Sequence, residues 1–102
     1  MSDNFWQDIK DILYDAVNNE FYTESERETI IENAFSEFAG YTNDTSTIPL
    51  AFTSRQHTFY SPVDLVYWVE DAGIPLEYVF VHHHTSVRDN SKQYNVYISN
   101  SP

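Results

Sequence analysis

Four histidines are the residues of this sequence best suited to metal chemistry, and three of them are consecutive. His82, His83 and His84 lie in a run rich in β-branched and aromatic residues, and His57 lies earlier in the chain. On a strand, alternate side chains point the same way, so His82 and His84 have the spacing of two zinc or iron ligands. A carboxylate or His57 would complete such a site. No second metal motif accompanies them, so we predict half-exposed strand residues without a metal, and His57, His82 and His84 remain the residues that a small metal enzyme would use.

Other catalytic chemistry lacks its usual sequence features. The chain has no cysteine and only two glycines, which excludes a thiolate nucleophile and a glycine-rich oxyanion or phosphate loop. Carboxylates are abundant, but those on predicted helix faces have no evident reason for the shifted pKa that acid–base work needs. We therefore predict a protein without catalytic residues and without a cofactor.

The charge of the chain is strongly negative and unevenly distributed. The formal net charge is −11, and the first 44 residues hold eleven acidic side chains against two basic ones. Direct binding to nucleic acid or to an anionic membrane is excluded by this balance, because both need clustered lysine and arginine. A basic protein is the partner that such a charge favours.

The first half of the chain predicts two helices. Residues 3 to 22 alternate apolar and polar positions with helical spacing, and Thr23 with Glu26 forms a capping box for a second helix that we expect to end at Gly40. The short connection between them predicts an antiparallel helix hairpin. The predicted buried face of the first helix contains Phe5, Ile9, Ile12, Leu13, Ala16 and Phe21, or Val17 in place of Phe21.

The second half predicts a third helix and strands. Ser61 and Pro62 mark a helix start and Gly73 its end. Residues 77–87 and 92–99 predict a β-hairpin joined by a polar turn, and the short runs 50–53 and 57–60 are expected to pair with each other. We predict one α+β domain over residues 1–102, with the helix hairpin, a third helix and a small antiparallel sheet that includes the C-terminal hairpin.

Two rows of carboxylates are expected on the exposed side of the helix hairpin. They repeat with the three- and four-residue spacing that places side chains on one helix face. Tyr22, with Tyr14, does not fit the apolar stripe, so we predict it as an interface anchor. The predicted partner-binding residues are Asp8, Asp11, Asp15, Glu20, Tyr22, Glu24, Glu28 and Glu32.

In size, acidity, helical acid rows and lack of catalytic motifs, mainly over residues 1–44, the chain resembles the small inhibitors made by phages and mobile elements. The resemblance implies a non-enzymatic inhibitor that imitates nucleic acid and blocks a basic nucleic-acid-binding protein, such as a restriction or CRISPR nuclease. An immunity protein or antitoxin that neutralises a basic toxin is the first alternative, and the small metal enzyme is the second. No signal peptide or membrane span is evident, so we expect a cytoplasmic protein. The oligomeric state stays open, a dimer included.

Overall fold

The computed structural model of this protein describes residues 4–52 and 54–99, with side chains described at all of these positions except 54–56. Its helices are α1 (Phe5–Asn18), α2 (Glu24–Ala34) and α3 (Pro62–Ala72). The α+β fold class is confirmed, with the helices of the N-terminal hairpin followed by a sheet that includes a C-terminal β-hairpin. Residue 3, where the first predicted helix begins, lies outside the described residues.

The predicted capping signals form real hydrogen bonds. The backbone N–H of Glu26 donates to Oγ1 of Thr23 (3.1 Å), and the N–H of Thr23 donates to Oε1 of Glu26 (2.9 Å). The Ser61 hydroxyl accepts from the N–H of Val63 at the start of α3. Gly73 ends α3 with φ 68°, a left-handed conformation that suits glycine because a Cβ is disfavoured there.

Within residues 4–52 and 54–99, four strands form one mixed sheet in the order β1-β3-β4-β2. They are β1 (Gly40–Thr42), β2 (Ser54–Phe59), β3 (Val79–Thr85) and β4 (Lys92–Ile98). Strand β4 pairs antiparallel with both β3 and β2, and the short β1 adds a parallel edge to β3. The sheet thus extends the predicted hairpin by one strand on each side.

The helices pack on one face of this sheet. Their buried residues form a single cluster with Val79, Val81, Tyr94 and Val96, which alternate along β3 and β4. The opposite face carries Phe80, His82 and Asn95, which are also buried. A 3-10 turn at Leu50–Phe52 covers part of that face, and the rings of Phe52 and Phe80 lie 5.5 Å apart.

Several local predictions were wrong. Helix α2 ends at Ala34 rather than at Gly40, which instead begins β1. Residues 50–52 form a 3-10 turn, Thr53 lies outside the described residues, and β2 pairs with β4 rather than with that run. Ile12 and Phe21 are 47% and 86% exposed, so neither belongs to the buried face predicted for the first helix. Phe21 lies beyond the end of α1 at Asn18, and nothing in the structure explains the exposure of Ile12.

Candidate interaction surface

Most basic side chains of this acidic protein are used inside the fold. Lys10 on α1 is nearly buried, and its Nζ lies 2.7 Å from Oε1 of Glu70 on α3. The same ammonium lies 4.3 Å from the centre of the Tyr67 ring. This cation therefore joins α1 to α3 and leaves little positive charge at the surface.

Lys92 joins the sheet to α2 in the same way. Its Nζ lies 2.7 Å from Oε1 of Glu24 and 3.5 Å from Oε1 of Glu28. The hydrogen bond from Lys92 lowers the pKa of Glu24. Burial opposes the charge of Lys92, but the two carboxylates outweigh it and raise the lysine pKa.

Arg27 is the third cation bonded within the chain. Its Nη2 donates to the backbone carbonyl of Asn19 (3.0 Å), which ties α2 to the end of α1. Arg88 is exposed in the β3–β4 turn, and the side chain of Arg55 lies outside the described part. Two of the five basic residues thus form ion pairs within the fold, and a third donates to the backbone, while the carboxylates of α1 have no such partner among the described residues.

The carboxylates of α1 are exposed, as the sequence predicted. Asp8, Asp11 and Asp15 all face solvent, and within the described residues no cation lies within 4.0 Å of them. Their contacts are with neutral groups, since Gln7 donates to Asp11 (2.8 Å) and the Tyr22 hydroxyl donates to Asp15 (2.8 Å). This row is therefore open to solvent.

The row expected on α2 is only partly exposed. Glu24 and Glu32 reach solvent, as does Glu20 before the helix, but the side chain of Glu28 is 33% exposed and faces the sheet. Glu28 is partly covered because it lies three residues before the buried Ile31, and residues three apart share one face of a helix. The two rows therefore do not form one continuous exposed ridge.

Tyr22 connects the two helices rather than projecting as a free anchor. It is half-buried, and its hydroxyl donates to Oδ2 of Asp15 at 2.8 Å. That hydrogen bond to a carboxylate raises the tyrosine pKa, because it stabilises the protonated phenol. Tyr14, by contrast, is 64% exposed on α1.

The histidines do not assemble into the metal site that the sequence offered. His82 is paired across the sheet with Asn95, and its ring centre lies 6.3 Å from that of His84 on the same face. His57 is paired with Val96, so it lies on the opposite, helix-covered face, where its ring contacts Trp68 (4.7 Å between ring centres). His57 therefore cannot bind the same metal ion as His82 and His84. Among the described residues, no three metal-ligating side chains lie close enough together to hold a metal ion.

The buried His82 belongs to a hydrogen-bonded network instead. The Thr58 hydroxyl donates to Oδ1 of Asn95 (2.6 Å), and Nδ2 of Asn95 lies 3.2 Å from Nδ1 of His82. These three side chains cross β2, β4 and β3 in adjacent positions. Satisfying the buried imidazole in this way is a structural role, because an unpaired polar group there would cost roughly 1–3 kcal/mol.

His83 has the most distinctive surroundings, and sequence reasoning did not single it out. Its Nδ1 lies 3.5 Å from Oε2 of Glu28, and its Nε2 lies 3.3 Å from the hydroxyl of Thr85. The ring is stacked between those of Tyr41 and Tyr94. Burial lowers the pKa of His83, and the Glu28 carboxylate only partly opposes that effect. A neutral imidazole at neutral pH follows.

A cavity of about 780 Å³ opens beside this histidine, and its lining includes Glu28, His83 and Thr85. The order hydroxyl, imidazole, carboxylate is that of serine-type hydrolases. Those enzymes also need free N–H donors for the oxyanion. The turn that follows Thr85 already uses four of its backbone N–H groups in its own hydrogen bonds, at Ser86, Arg88, Asn90 and Ser91. The arrangement therefore holds α2 against the sheet more readily than it supports acyl transfer.

A second, smaller cavity lies between the helices and the sheet. This groove has a volume of about 120 Å³ and is lined by parts of α1, α2 and β4 together with Tyr60 and Pro62. Val17 and Tyr60 at this groove are 40% and 73% exposed. No pattern in the sequence indicates this groove, because its walls come from distant parts of the chain.

Comparison with protein-family models, with curated proteins and with solved structures finds no match to this chain. Within the part of the chain that the structure describes, no helix has the length and apolar content needed to cross a membrane. Function must therefore be inferred from the surface itself.

Proposed function

We propose that this protein is a small, acidic, non-enzymatic inhibitor that occupies the basic groove of a nucleic-acid-binding protein, in the manner of a nucleic-acid mimic. The observation that carries the proposal is the separation of charge. Lys10, Lys92 and Arg27 bond within the fold, while Asp8, Asp11 and Asp15 face solvent without a cation nearby in the described residues.

The spacing of the α1 carboxylates suits this role. With a rise of 1.5 Å per residue, Asp8 and Asp11 lie about 4.5 Å apart along the helix axis, and Asp11 and Asp15 about 6 Å. One strand of duplex DNA places a phosphate about every 3.4 Å. A single helical row reaches more than half of that charge density, and Glu20, which is exposed before α2, adds charge beyond the helix end. Such a field accelerates encounter with a basic groove.

The proposal is tested by competition with nucleic acid. Purified restriction and CRISPR nucleases are bound to labelled duplex DNA, and the protein is added across a salt series. We expect displacement of the DNA, with an affinity that falls steeply as salt rises. Binding to a basic partner without displacement of nucleic acid favours an immunity protein or antitoxin, and binding to none of these nucleases at low salt contradicts the proposal.

A matched pair of variants separates the α1 row from bulk charge. The first variant carries Asp8→Asn, Asp11→Asn and Asp15→Asn; the second carries Glu37→Gln, Asp71→Asn and Glu77→Gln, three exposed positions elsewhere. Both remove the same charge. We expect the association rate of the first to fall about tenfold at low salt and that of the second to change less than about twofold. Equal losses would show that only net charge matters.

A further inference from the structure

We propose that Tyr14 on α1 and Tyr67 on α3, together with Asp11 and Asp64, form a binding site for arginine side chains of the basic partner. The inference rests on the proposed function, which supplies that partner. It adds a short-range contact of defined chemistry to a surface whose net charge attracts any cation.

The same short pattern occurs on both helices. Residues 11–14 of α1 are Asp-Ile-Leu-Tyr, and residues 64–67 of α3 are Asp-Leu-Val-Tyr. Because the aspartate and the tyrosine are three residues apart, they share one face of their helix. Helical side chains lean toward the N-terminus, so each tyrosine ring extends toward its own aspartate. Each helix therefore presents one aromatic ring beside one carboxylate.

Contacts between α1 and α3 bring the two tyrosines to one surface. Nζ of Lys10 lies 4.3 Å from the centre of the Tyr67 ring, and Lys10 precedes Tyr14 by four residues on the same face of α1. Val17, three residues after Tyr14, lines a groove together with Pro62, the first residue of α3. The two helices thus run antiparallel, and Tyr14 and Tyr67 both border the line along which they meet.

The four side chains of this site are accessible. Tyr14 is 64% exposed and Tyr67 is 53% exposed, and both aspartates face solvent. The carboxylate of Asp11 accepts one hydrogen bond, from Gln7. Within the described residues, neither aspartate has a cation within 4.0 Å, and neither tyrosine ring contacts another ring. The rings and the carboxylates can therefore meet a partner without breaking an ion pair of the fold.

A contact inside the fold shows which kind of group suits this site. The ammonium of Lys10 lies over the Tyr67 ring and 2.7 Å from Oε1 of Glu70. A ring and a carboxylate thus hold a cation together, as expected from the negative face of an aromatic ring. Lys10 uses only part of the Tyr67 ring, because more than half of that residue is still exposed. A cation of the partner would meet the same combination of groups from outside.

Charge and geometry decide which cation it is. The net charge of −11 opposes a second copy of this chain as the occupant, because two such molecules repel each other. Arginine suits the site better than lysine. Its planar guanidinium is weakly hydrated and stacks on an aromatic ring while its N–H groups pair with a neighbouring carboxylate.

The test compares two peptides of the same length and charge, one with arginine and the other with lysine at every basic position. Binding is measured by fluorescence anisotropy at low and high salt. We expect the arginine peptide to bind at least about fivefold more tightly. It should keep that advantage at high salt, because attraction between exposed charges is screened and contact with the rings is screened less.

Two double variants of unchanged net charge identify the residues responsible. The first is Tyr14→Leu with Tyr67→Leu. The control is Phe21→Leu with Tyr60→Leu, which removes two exposed aromatic rings that have no aspartate three residues before them. The preference for arginine should disappear in the first and persist in the second. Tyr14→Leu alone, which leaves the ring over Lys10 in place, should reduce the preference at least about twofold.

Each outcome decides a different claim. Equal binding of the two peptides to the wild type, an unchanged preference in the first double variant, or equal losses in both double variants would overturn the arginine site alone. Binding of neither peptide at low salt would overturn the proposed function as well.

Discussion

Nδ1 of His83 lies 3.5 Å from Oε2 of Glu28, and this contact joins the centre of the sheet to α2. The other carboxylate oxygen of Glu28 lies 3.5 Å from Nζ of Lys92. Glu28 is thus shared between a permanent cation and an imidazole that burial keeps neutral, since burial lowers the pKa of His83. The contact between His83 and Glu28 therefore depends on whether the imidazole is protonated, and so on pH.

Acidification should destabilise the fold through His83. Its pKa in the folded state is below the ordinary 6.5, so the unfolded chain takes up a proton first as the pH falls below that value. Stability conferred by the neutral ring is present above pH 6.5 and is lost progressively below it. Urea unfolding at pH 7.5 and pH 5.5 should show a smaller pH effect in His83→Gln than in the wild type. Exposed His84→Gln is the control; if it reduces the pH effect equally, His83 is not the responsible group.

Replacing Tyr41 by phenylalanine should not destabilise the protein. The Tyr41 hydroxyl is buried and has no hydrogen-bond partner in the described part of the chain, while its ring is stacked on Phe35 and His83. Removing an unsatisfied hydroxyl and keeping the ring should raise the free energy of unfolding by up to about 1 kcal/mol. Tyr22→Phe, which loses the bond to Asp15, should be neutral or slightly destabilising. If Tyr41→Phe lowers the free energy of unfolding by more than about 1 kcal/mol, the Tyr41 hydroxyl does have a hydrogen-bond partner.

Breaking the ion pair between Lys10 and Glu70 should destabilise the fold more than breaking a fully exposed ion pair would. The lysine side chain is 11% exposed and the glutamate 36%, so Lys10→Met leaves a carboxylate that water reaches only in part. We expect a loss of about 1–3 kcal/mol in the free energy of unfolding. Adding Glu70→Gln should recover part of it. A double-mutant cycle gives the coupling energy, and a value near zero would show that the pair adds no net stability, contrary to this prediction.

The two glycines should respond to alanine for different reasons. At Gly73 a Cβ would meet no atom within 4 Å. Gly73→Ala should therefore lower the free energy of unfolding only through the strain of a left-handed backbone at alanine, by about 1–2 kcal/mol. At Gly40 a Cβ would overlap the Phe80 ring, so Gly40→Ala forces that ring away from Phe52 and should cost about 1–3 kcal/mol. Phe80→Leu should therefore rescue the Gly40 variant but not the Gly73 variant in thermal unfolding. Equal responses to Phe80→Leu would contradict the overlap.

Features encoded locally were predictable from the sequence. The capping pair Thr23–Glu26, the start at Ser61–Pro62 and the left-handed Gly73 depend on neighbours within four residues, and all are confirmed. The alternation of Val79, Phe80 and the residues that follow gave the correct division of β3 between two faces. The exposed α1 row followed from helical spacing in the same way.

Features that depend on distant pairing were not predictable. Strand β1 has only three residues, which is too short for a recognisable alternation of apolar and polar side chains. It is a strand because it pairs with β3, where Tyr41 lies opposite Val81. The sequence favoured pairing of residues 50–53 with 57–60, but the apolar surface of β4 is a larger partner for β2. Glu28 looked exposed because its partners, His83 and Lys92, are more than fifty residues away.

The sheet has two outer strands that are poor templates for joining a further chain. Strand β1 ends after three residues, and β2 carries a register shift between Arg55 and His57. Short edges and bulges of this kind prevent one sheet from continuing into the next molecule. Concentrated solutions of the protein should therefore not form fibrils. A substitution that removes the register shift in β2 should make fibril formation more favourable.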